Sequence, residues 1–334
     1  MNKNILVVGG AGYIGSHMVL ALEEAGYLVT VFDNLSRGFA EAVSGEILVV
    51  GDLRSRDDLK GCFESRCFDA VMHFGGLAYV GESMLEPELY YQNNIVGSLN
   101  LLSEMRCRGV NKIIFSSSCA TYGEPMFIPV TEDHPQTPIN PYGNSKLQIE
   151  RALADYARSY GVGSVSFRYF NAAGCDPKMR IGERHDPETH LIPLALAEAL
   201  RTRAGYASSE TRLTVFGNDF DTPDGSCIRD YIHVSDVCFA HLLALQLLLN
   251  GEAQGAKFFN LANGNGFSVL DVINVCRNVT GEPIEYLMKP RRPGDPARLV
   301  GNADRAKVEL GWTPAFTRLD QIILTAWNWL LRGL

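Results

Sequence analysis

Ile5-Leu6-Val7-Val8-Gly9-Gly10-Ala11-Gly12-Tyr13-Ile14-Gly15 lies close to the start of the chain. Its four apolar residues form a continuous run closed by glycines, the pattern of a short strand buried on both faces. The glycines satisfy GxxGxxG (9, 12, 15) and GxGxxG (10, 12, 15) together. Such glycines allow a tight turn, close approach of backbone N–H groups to a pyrophosphate, and close packing of the next helix, whose N-terminus favours an anion. Glycines alone are weak evidence, because turns also collect them. Here a strand is predicted before them and a helix over residues 16–25 after them. An acid, Asp33, follows the next predicted strand, residues 28–32. A carboxylate at that point accepts hydrogen bonds from an adenosine ribose and repels a 2′-phosphate, so the reading is NAD rather than NADP. Arg37 is expected as a solvated loop residue. Asp52 and Leu53, after a third strand over residues 47–50, fall where an adenine ring would lie.

Working outward, strands are predicted at residues 70–74, 112–116 and 165–169, each after a helical segment. Alternating strands and helices imply right-handed crossovers and a doubly wound parallel sheet of the Rossmann type, an α/β fold. After Asn171, which is read as the end of the sixth strand, the pattern changes. Residues 174–189 are polar and irregular, and residues 218–230 are rich in Asp, Gly and Pro. Helices are expected at 193–203, 234–249 and 319–331, and one more strand at 257–261, returning to the main sheet. The expected division is residues 1–172 for NAD, joined by that returning strand, and a smaller α/β lobe, 173–334, for substrate.

The length, 334 residues, fits this plan, and 46% apolar residues suffice for a sizeable core. The net charge is −8 with no offsetting basic run, which argues against nucleic-acid and membrane-surface roles. No apolar run reaches a membrane span, and the start is too short for a signal-peptide core. The eight cysteines are scattered without a CxxC pair, as expected for buried free thiols in a reducing compartment. A soluble, cytoplasmic protein is the expectation.

Ser116-Ser117-Ser118 ends the fifth strand, at the carboxyl edge where ligands of such sheets bind. Downstream, Pro141-Tyr142-Gly143-Asn144-Ser145-Lys146 sets Tyr142 and Lys146 one helical turn apart on one face. A phenol with an ordinary pKa near 10 is a poor base at neutral pH; an adjacent ammonium and a nicotinamide cation both favour phenolate. Ser118 would hold a substrate hydroxyl in line. YxxxK by itself is common, but after a glycine loop and a serine-ended strand it is a strong signal.

Gly9–His17, Asp33–Gly38, Ser116–Ser118, Tyr142–Lys146 and Arg168–Gly174 together resemble the extended short-chain dehydrogenase/reductase superfamily. Within it, Tyr79–Ser83, Phe216–Asp219, Asp224-Gly225, Arg229–Val234 and Arg291–Asp295 resemble the UDP-glucose 4-epimerase family, over nearly the whole chain. The resemblance implies an NAD-dependent 4-epimerase of a UDP-sugar, with a homodimer formed by helices at 90–105 and 142–160. It implies cofactor contacts at Gly9, Gly12, Tyr13, Ile14, Gly15, Asp33, Asn34, Asp52, Leu53, Phe74, Gly76, Asn93, Ser116, Tyr142, Lys146 and Tyr169. For the substrate it implies Ser118, Asn171, His190, Leu191, Phe216, Arg229, Tyr231, Arg292, Asp295 and Leu299. Guanidinium forks match phosphate oxygens, so Arg229 and Arg292 suit a diphosphate; salt bridges to Asp230 or Asp295 are the plainer alternative. Phe216 would flank the uracil, and Asp295 would accept from its ribose. Leu299 aligns beside the sugar, where residue size varies among members, so UDP-hexoses, their 2-acetamido forms and UDP-pentoses all stay open.

His185, Asp186, Glu188 and His190 cluster four possible metal ligands, but in a Pro-containing loop without zinc-site spacing they carry no metal expectation. Two other activities were weighed. A dehydratase or decarboxylase of this superfamily needs an acid just after the strand-5 hydroxyl, where this chain has Cys119-Ala120. A noncatalytic NAD-binding protein would not need Ser118, Tyr142 and Lys146.

Overall fold

The computed structural model describes residues 3–43, 47–206, 213–292 and 294–332; Pro293 of the Arg291–Asp295 motif lies outside the described residues. The strands are β1 (Asn4–Val8), β2 (Leu28–Asp33), β3 (Leu48–Val50), β4 (Ala70–His73), β5 (Lys112–Ser118), β6 (Gly163–Tyr169), β7 (Asn171–Ala173), β8 (Thr214–Phe216), β9 (Ile228–His233), β10 (Ala256–Leu261), β11 (Gly266–Ser268), β12 (Leu287–Lys289) and β13 (Arg298–Leu299). Seven of them form one parallel sheet in the order β10-β6-β5-β4-β1-β2-β3. Strand β1 lies centrally, and the chain winds outward from it first through β2 and β3, then through β4, β5 and β6. The carboxyl ends of β1 and β4 therefore flank a crevice at the reversal point, where such sheets bind ligands. β10 pairs in parallel with β6, as expected of a returning strand.

Both faces of this sheet are covered, which is why its strands read as unbroken apolar runs. On one face Ile5, Val7 and Met72 pack with Met18 and Leu22 of helix Tyr13–Glu24 and with Val237, Leu245 and Leu248 of helix Val234–Leu249. On the other, Leu6, Val8 and Val71 meet Leu59, Leu101, Leu102, Ile149 and Leu153 from three further helices. Helix Val234–Leu249 and β10 thus serve the main sheet although they follow the 173–233 segment. A separate core joins helices Leu191–Arg203, Val269–Thr280 and Leu319–Arg332 through Ile192, Leu196, Ile273, Ile322 and Trp327. Above it lie a four-stranded sheet, with β9 flanked by β7, β11 and β13, and the β12–β8 pair.

Besides shifts of one or two residues at several element ends, three departures from the sequence reading bear on the site. The first helix starts at Tyr13 rather than Ser16, because the glycine loop supplies its first turn: a Cβ on Gly15 would stand 2.1 Å from the Gly9 carbonyl oxygen. β6 ends at Tyr169, and Asn171 instead opens β7, paired with Tyr231 of the second sheet. The helix expected through 90–105 is broken by a π-helical turn at Tyr91–Val96, a distortion that concentrates at functional sites. All eight cysteines are free thiols, but Cys67 and Cys107 are exposed rather than buried. Among the described residues no helix is long and apolar enough to cross a membrane.

Four buried histidines predict how stability depends on pH. Burial lowers His17 and His241 to about 4, and His73 and His233 to about 3. His17 and His241 direct Nδ1 at the carbonyls of Tyr13 and Val237 (2.8 and 2.9 Å), while their buried Nε2 atoms have no partner among the described residues. Each is neutral in the fold but titrates near 6.5 when unfolded. The unfolded chain therefore binds more protons as pH falls below 6.5, and the stability present above that value is progressively lost toward pH 4–3. His190 shifts the other way, since Glu188 and Glu183 outweigh the lowering effect of its burial. Urea unfolding at pH 7.0, 6.0 and 5.0 should show stability falling by about 1–4 kcal/mol per unit in the lower half of that range. A flat profile would contradict the neutral assignment.

Candidate active site

A cleft runs along the carboxyl edge of the main sheet. One end, about 560 Å³, is lined by Gly9, Gly12, Asp33, Asn34, Gly51, Leu53, Phe74, Gly76 and Asn93. The other, about 1330 Å³ and open to solvent, continues past Tyr13, Ile14 and Gly15 to Ser116, Ser118, Tyr142, Lys146, Tyr169, Asn171 and His190. Gly9, Gly12, Phe74 and Gly76 belong to both, so one long molecule can occupy the two ends.

At the first end the Asp33 carboxylate accepts the backbone N–H groups of Ala11 (3.0 Å) and Leu35 (2.8 Å), one on each oxygen. It fixes the glycine loop to the end of β2 and keeps lone pairs for a ribose. Burial shifts its carboxyl upward against those two donors. Asp52 does not line the cleft; it is clamped by Arg54 (2.9 and 2.6 Å) and Asn34 (3.0 Å). Arg37 is not a free loop residue either. It pairs with Glu82 at 2.6 Å, donates to the Asp186 carbonyl at 3.2 Å, and lies over the Tyr79 ring at 5.1 Å, bridging the cleft.

At the wider end, Ser118 closes β5, and Tyr142 sits in the first turn of helix Pro141–Tyr160. Pro141 starts that helix, and the Asn140 side chain caps it by accepting from the Gly143 N–H at 2.8 Å. A Cβ on Gly143 would stand 2.3 Å from the Ala120 carbonyl oxygen, so glycine there lets the helix press against the turn after β5 and brings Tyr142 to Ser118. Lys146 is buried and donates to the Ser116 carbonyl at 2.8 Å, with Nζ 5.8 Å from the Tyr142 ring centroid. Burial pushes the Tyr142 phenol up to about 12, with the Ser118 hydroxyl pulling the other way, and brings Lys146 down to about 8. Lysine alone does not produce phenolate; a further positive charge in the cleft has to.

Of the remaining substrate residues, Asn171 and His190 line this end, while Leu191, Phe216, Arg229, Tyr231, Arg292, Asp295 and Leu299 are not on its lining. Arg229 and Arg292 both pair with Asp295 (3.1 and 3.2 Å), and the Arg292 guanidinium stands 4.7 Å from the Phe216 ring. Asp230 is no partner of either; it accepts the backbone N–H groups of Asn263, Gly264 and Gly301. Asn171 donates to the Asp230 carbonyl at 3.0 Å. Leu299 pairs with Arg229 across β13 and β9, buried in a cluster with Cys119 and Phe170, which do line the cleft. Tyr231 is buried beside Asn171, and Leu191 begins the helix that follows His190.

Sequence reasoning missed three supports. Asn94, on the π-helical turn, accepts from the Leu77 N–H (2.8 Å) and donates to Ser145 (3.0 Å), joining the 75–79 loop to the Tyr142 helix. Arg168 and Glu150 form a buried pair described below. A charged residue inside an apolar strand such as β6 was the available signal, since buried arginine demands a partner. Glu183 also lines the cleft, against His185 and His190.

A glycine loop at the switch point of a parallel sheet, with Ser118, Tyr142 and Lys146 along the same cleft, defines a dinucleotide-binding α/β enzyme of the short-chain dehydrogenase type. The chain belongs to the NAD dependent epimerase/dehydratase family, whose model matches residues 5–262. It is 49% identical to the UDP-glucose 4-epimerase of Halalkalibacterium halodurans, over 97% of this chain and 95% of that protein. Among solved structures it is similar to the UDP-glucose 4-epimerase of Brucella ovis in complex with NAD (44% identity, TM-score 0.90, 98% of each chain). It is also similar to that of Bifidobacterium longum in complex with NAD+ and UDP (36% identity, TM-score 0.91, 99% of each chain).

Proposed function

We propose that this chain inverts C4 of a UDP-hexose, interconverting UDP-galactose and UDP-glucose with tightly held NAD, which would place it in galactose metabolism. The observation that carries this reading is the single cleft that joins the glycine loop to Ser118, Tyr142 and Lys146. Gly9, Gly12 and Gly15 would receive the pyrophosphate of NAD, Asp33 a ribose, and Lys146 the nicotinamide ribose. When bound, the nicotinamide supplies a hydride acceptor beside the sugar and a positive charge beside Tyr142. The chain's own part is to hold and move a proton. Tyr142 takes it from the sugar 4-hydroxyl, which Ser118 keeps in line, and returns it after the 4-keto sugar has turned to its other face. The turn requires few contacts to the sugar, so Arg229, Arg292, Asp295, Phe216 and Asn171 would anchor the UDP end. To do so, the arginines would exchange part of their pairing with Asp295 for phosphate oxygens. Residues 1–172, with helix Val234–Leu249 and β10 packed onto their sheet, would form the NAD unit, and the rest of 173–334 the UDP-sugar lobe.

Incubation with UDP-galactose and separation of the products tests the reading; UDP-glucose must form without added reductant. Arms with UDP-N-acetylhexosamines and UDP-pentoses decide the preferred sugar. The purified protein is also expected to carry NAD with none added, because the cycle regenerates it. Denaturation and chromatography of the released nucleotide check this; NADP, or turnover that consumes NADH stoichiometrically, would overturn it. Leu89, Val96 and Leu99 are apolar and exposed around the broken helix, which supports a homodimer through that face; sedimentation would read its mass.

A further inference from the structure

The 183–190 loop folds over the cleft and is tied to its opposite wall. The Arg37 guanidinium holds the Asp186 carbonyl, the Tyr79 hydroxyl donates to the Pro187 carbonyl at 3.1 Å, and the His185 ring meets Tyr13 edge-on at 5.9 Å. Four side chains of this loop converge, with one ligand atom from each lying within 4.8 Å of all the others: Glu183, His185, Glu188 and His190. His185 Nδ1 stands 3.5 Å from Glu183 Oε1 and 3.2 Å from Glu188 Oε2. His190 Nδ1 stands 3.5 Å from the same Glu183 oxygen and 2.8 Å from Glu188 Oε1.

The two contacts of Glu188 are hydrogen bonds, and all four separations are close to the edge lengths of a metal polyhedron. Zinc bonds of about 2.0–2.1 Å in a tetrahedron place ligand atoms about 3.3 Å apart. Glu188 offers one oxygen toward each imidazole, and its Oε1 also accepts the backbone N–H groups of Thr189 and His190 (2.8 Å each), which fixes the carboxylate in that orientation. Glu183 adds an independent observation. Its side chain is only 4% exposed and its carboxylate receives no hydrogen bond among the described residues, yet it points between two imidazole nitrogens. A buried carboxylate whose nearest partners are two imidazole nitrogens at 3.5 Å is weakly compensated, and a cation held between the three removes that cost. Two imidazoles and two carboxylates match a borderline transition metal better than magnesium or calcium, which take oxygen donors.

We propose that Glu183, His185, Glu188 and His190 form a binding site for one divalent transition metal of the zinc class, which cross-links the 183–190 loop internally and stiffens it where it lies over the cleft. The site lies on the wall of the same cleft as Ser118 and Tyr142 but includes neither of them, and it does not depend on which sugar is turned over. The sequence hid it because its ligands come from an irregular loop, and because the fourth is Glu183 rather than Asp186.

The test uses the NAD-loaded full chain, stripped with EDTA and titrated with zinc against a chromophoric chelator. One zinc per chain is expected, with magnesium at millimolar levels unable to compete. Glu183→Gln and His185→Ala should each weaken binding by at least ~100-fold, more than the loss of an outer-shell group. Replacing the exposed thiols, Cys67→Ser with Cys107→Ser, should leave stoichiometry and affinity unchanged. Zinc should also slow tryptic cleavage after Arg184 several-fold, because that bond lies inside the cross-linked loop. If either ligand variant misfolds, cobalt substitution in the native chain decides: visible bands of nitrogen and oxygen ligation without thiolate charge transfer are expected. No retained zinc, affinity indifferent to both ligand variants, cleavage indifferent to zinc, or a thiolate spectrum would overturn the proposal.

Discussion

Tyr142→Phe is expected to lower kcat by roughly 10²–10⁴-fold, the scale of a lost acid–base group, while NAD and UDP still bind. The phenylalanine keeps the ring packed in the first turn of its helix and removes only the hydroxyl beside Ser118. The structure sharpens the reason for so large an effect. Burial holds the free phenol up at about 12, so the group becomes a base only when the cleft also contains a positive charge. Lys146, brought down to about 8 by its own burial and directed at the Ser116 carbonyl, does not supply that charge alone. The neighbouring Cys119 thiol is pushed up to about 12 by burial and is a poor substitute, and Lys146, one turn along, is proposed to serve the ribose. Steady-state kinetics with UDP-galactose, alongside thermal-shift titrations with UDP, separate loss of chemistry from loss of binding. Turnover within tenfold of the native enzyme would assign the proton to another residue. Lys146→Ala should also be severely impaired, but with weakened NAD retention, a different signature.

The second large effect concerns stability. Arg168 on β6 and Glu150 on helix Pro141–Tyr160 pair through two hydrogen bonds, 2.9 and 2.7 Å, with side chains only 4% and 2% exposed. Glu150 also receives Ser117 of β5 and Gln136, and Arg168 reaches the Tyr122 hydroxyl at 2.9 Å. The network fastens the helix carrying Tyr142 and Lys146 to the strands carrying Ser116 and Ser118. Glu150→Ala leaves a buried guanidinium without its carboxylate and should cost about 3–5 kcal/mol in urea unfolding. Replacing both members by apolar residues, Glu150→Leu with Arg168→Met, should recover most of that loss, because neither charge then remains buried. A cost below ~1 kcal/mol for Glu150→Ala would mean that water or a rearranged partner satisfies Arg168.

Much of the site could be read directly because its chemistry is local. The glycine loop with Asp33, the Tyr142–Lys146 spacing and the serine-ended strand are each contained in a few consecutive residues. Backbone geometry then places them without help from distant chain. The structure brings these segments to one cleft as expected. Most of the departures occur where a partner comes from far along the chain. Arg37 finds Glu82 and the Asp186 carbonyl, and Arg229 shares Asp295 with Arg292 rather than turning to Asp230; Asp52 departs for a local reason, since Arg54 two residues on takes it. The salt-bridge alternative weighed from sequence thus holds in this structure for Asp295 and not for Asp230.

The sequence by itself determined the doubly wound parallel sheet, its returning strand and the approach of Ser118, Tyr142 and Lys146 along one cleft. These follow from short-range periodicity, glycine geometry and helical spacing, all of which act within one element and its neighbours. Tertiary structure alone decided which carboxylate each arginine takes, that Asn171 starts a strand in the second sheet, and that Glu183 joins two histidines in the loop over the cleft. Those outcomes depend on which groups the packing removes from water together. Burial raises the cost of an unpaired charge, so the final pairing is set by proximity in the fold and not by spacing along the chain.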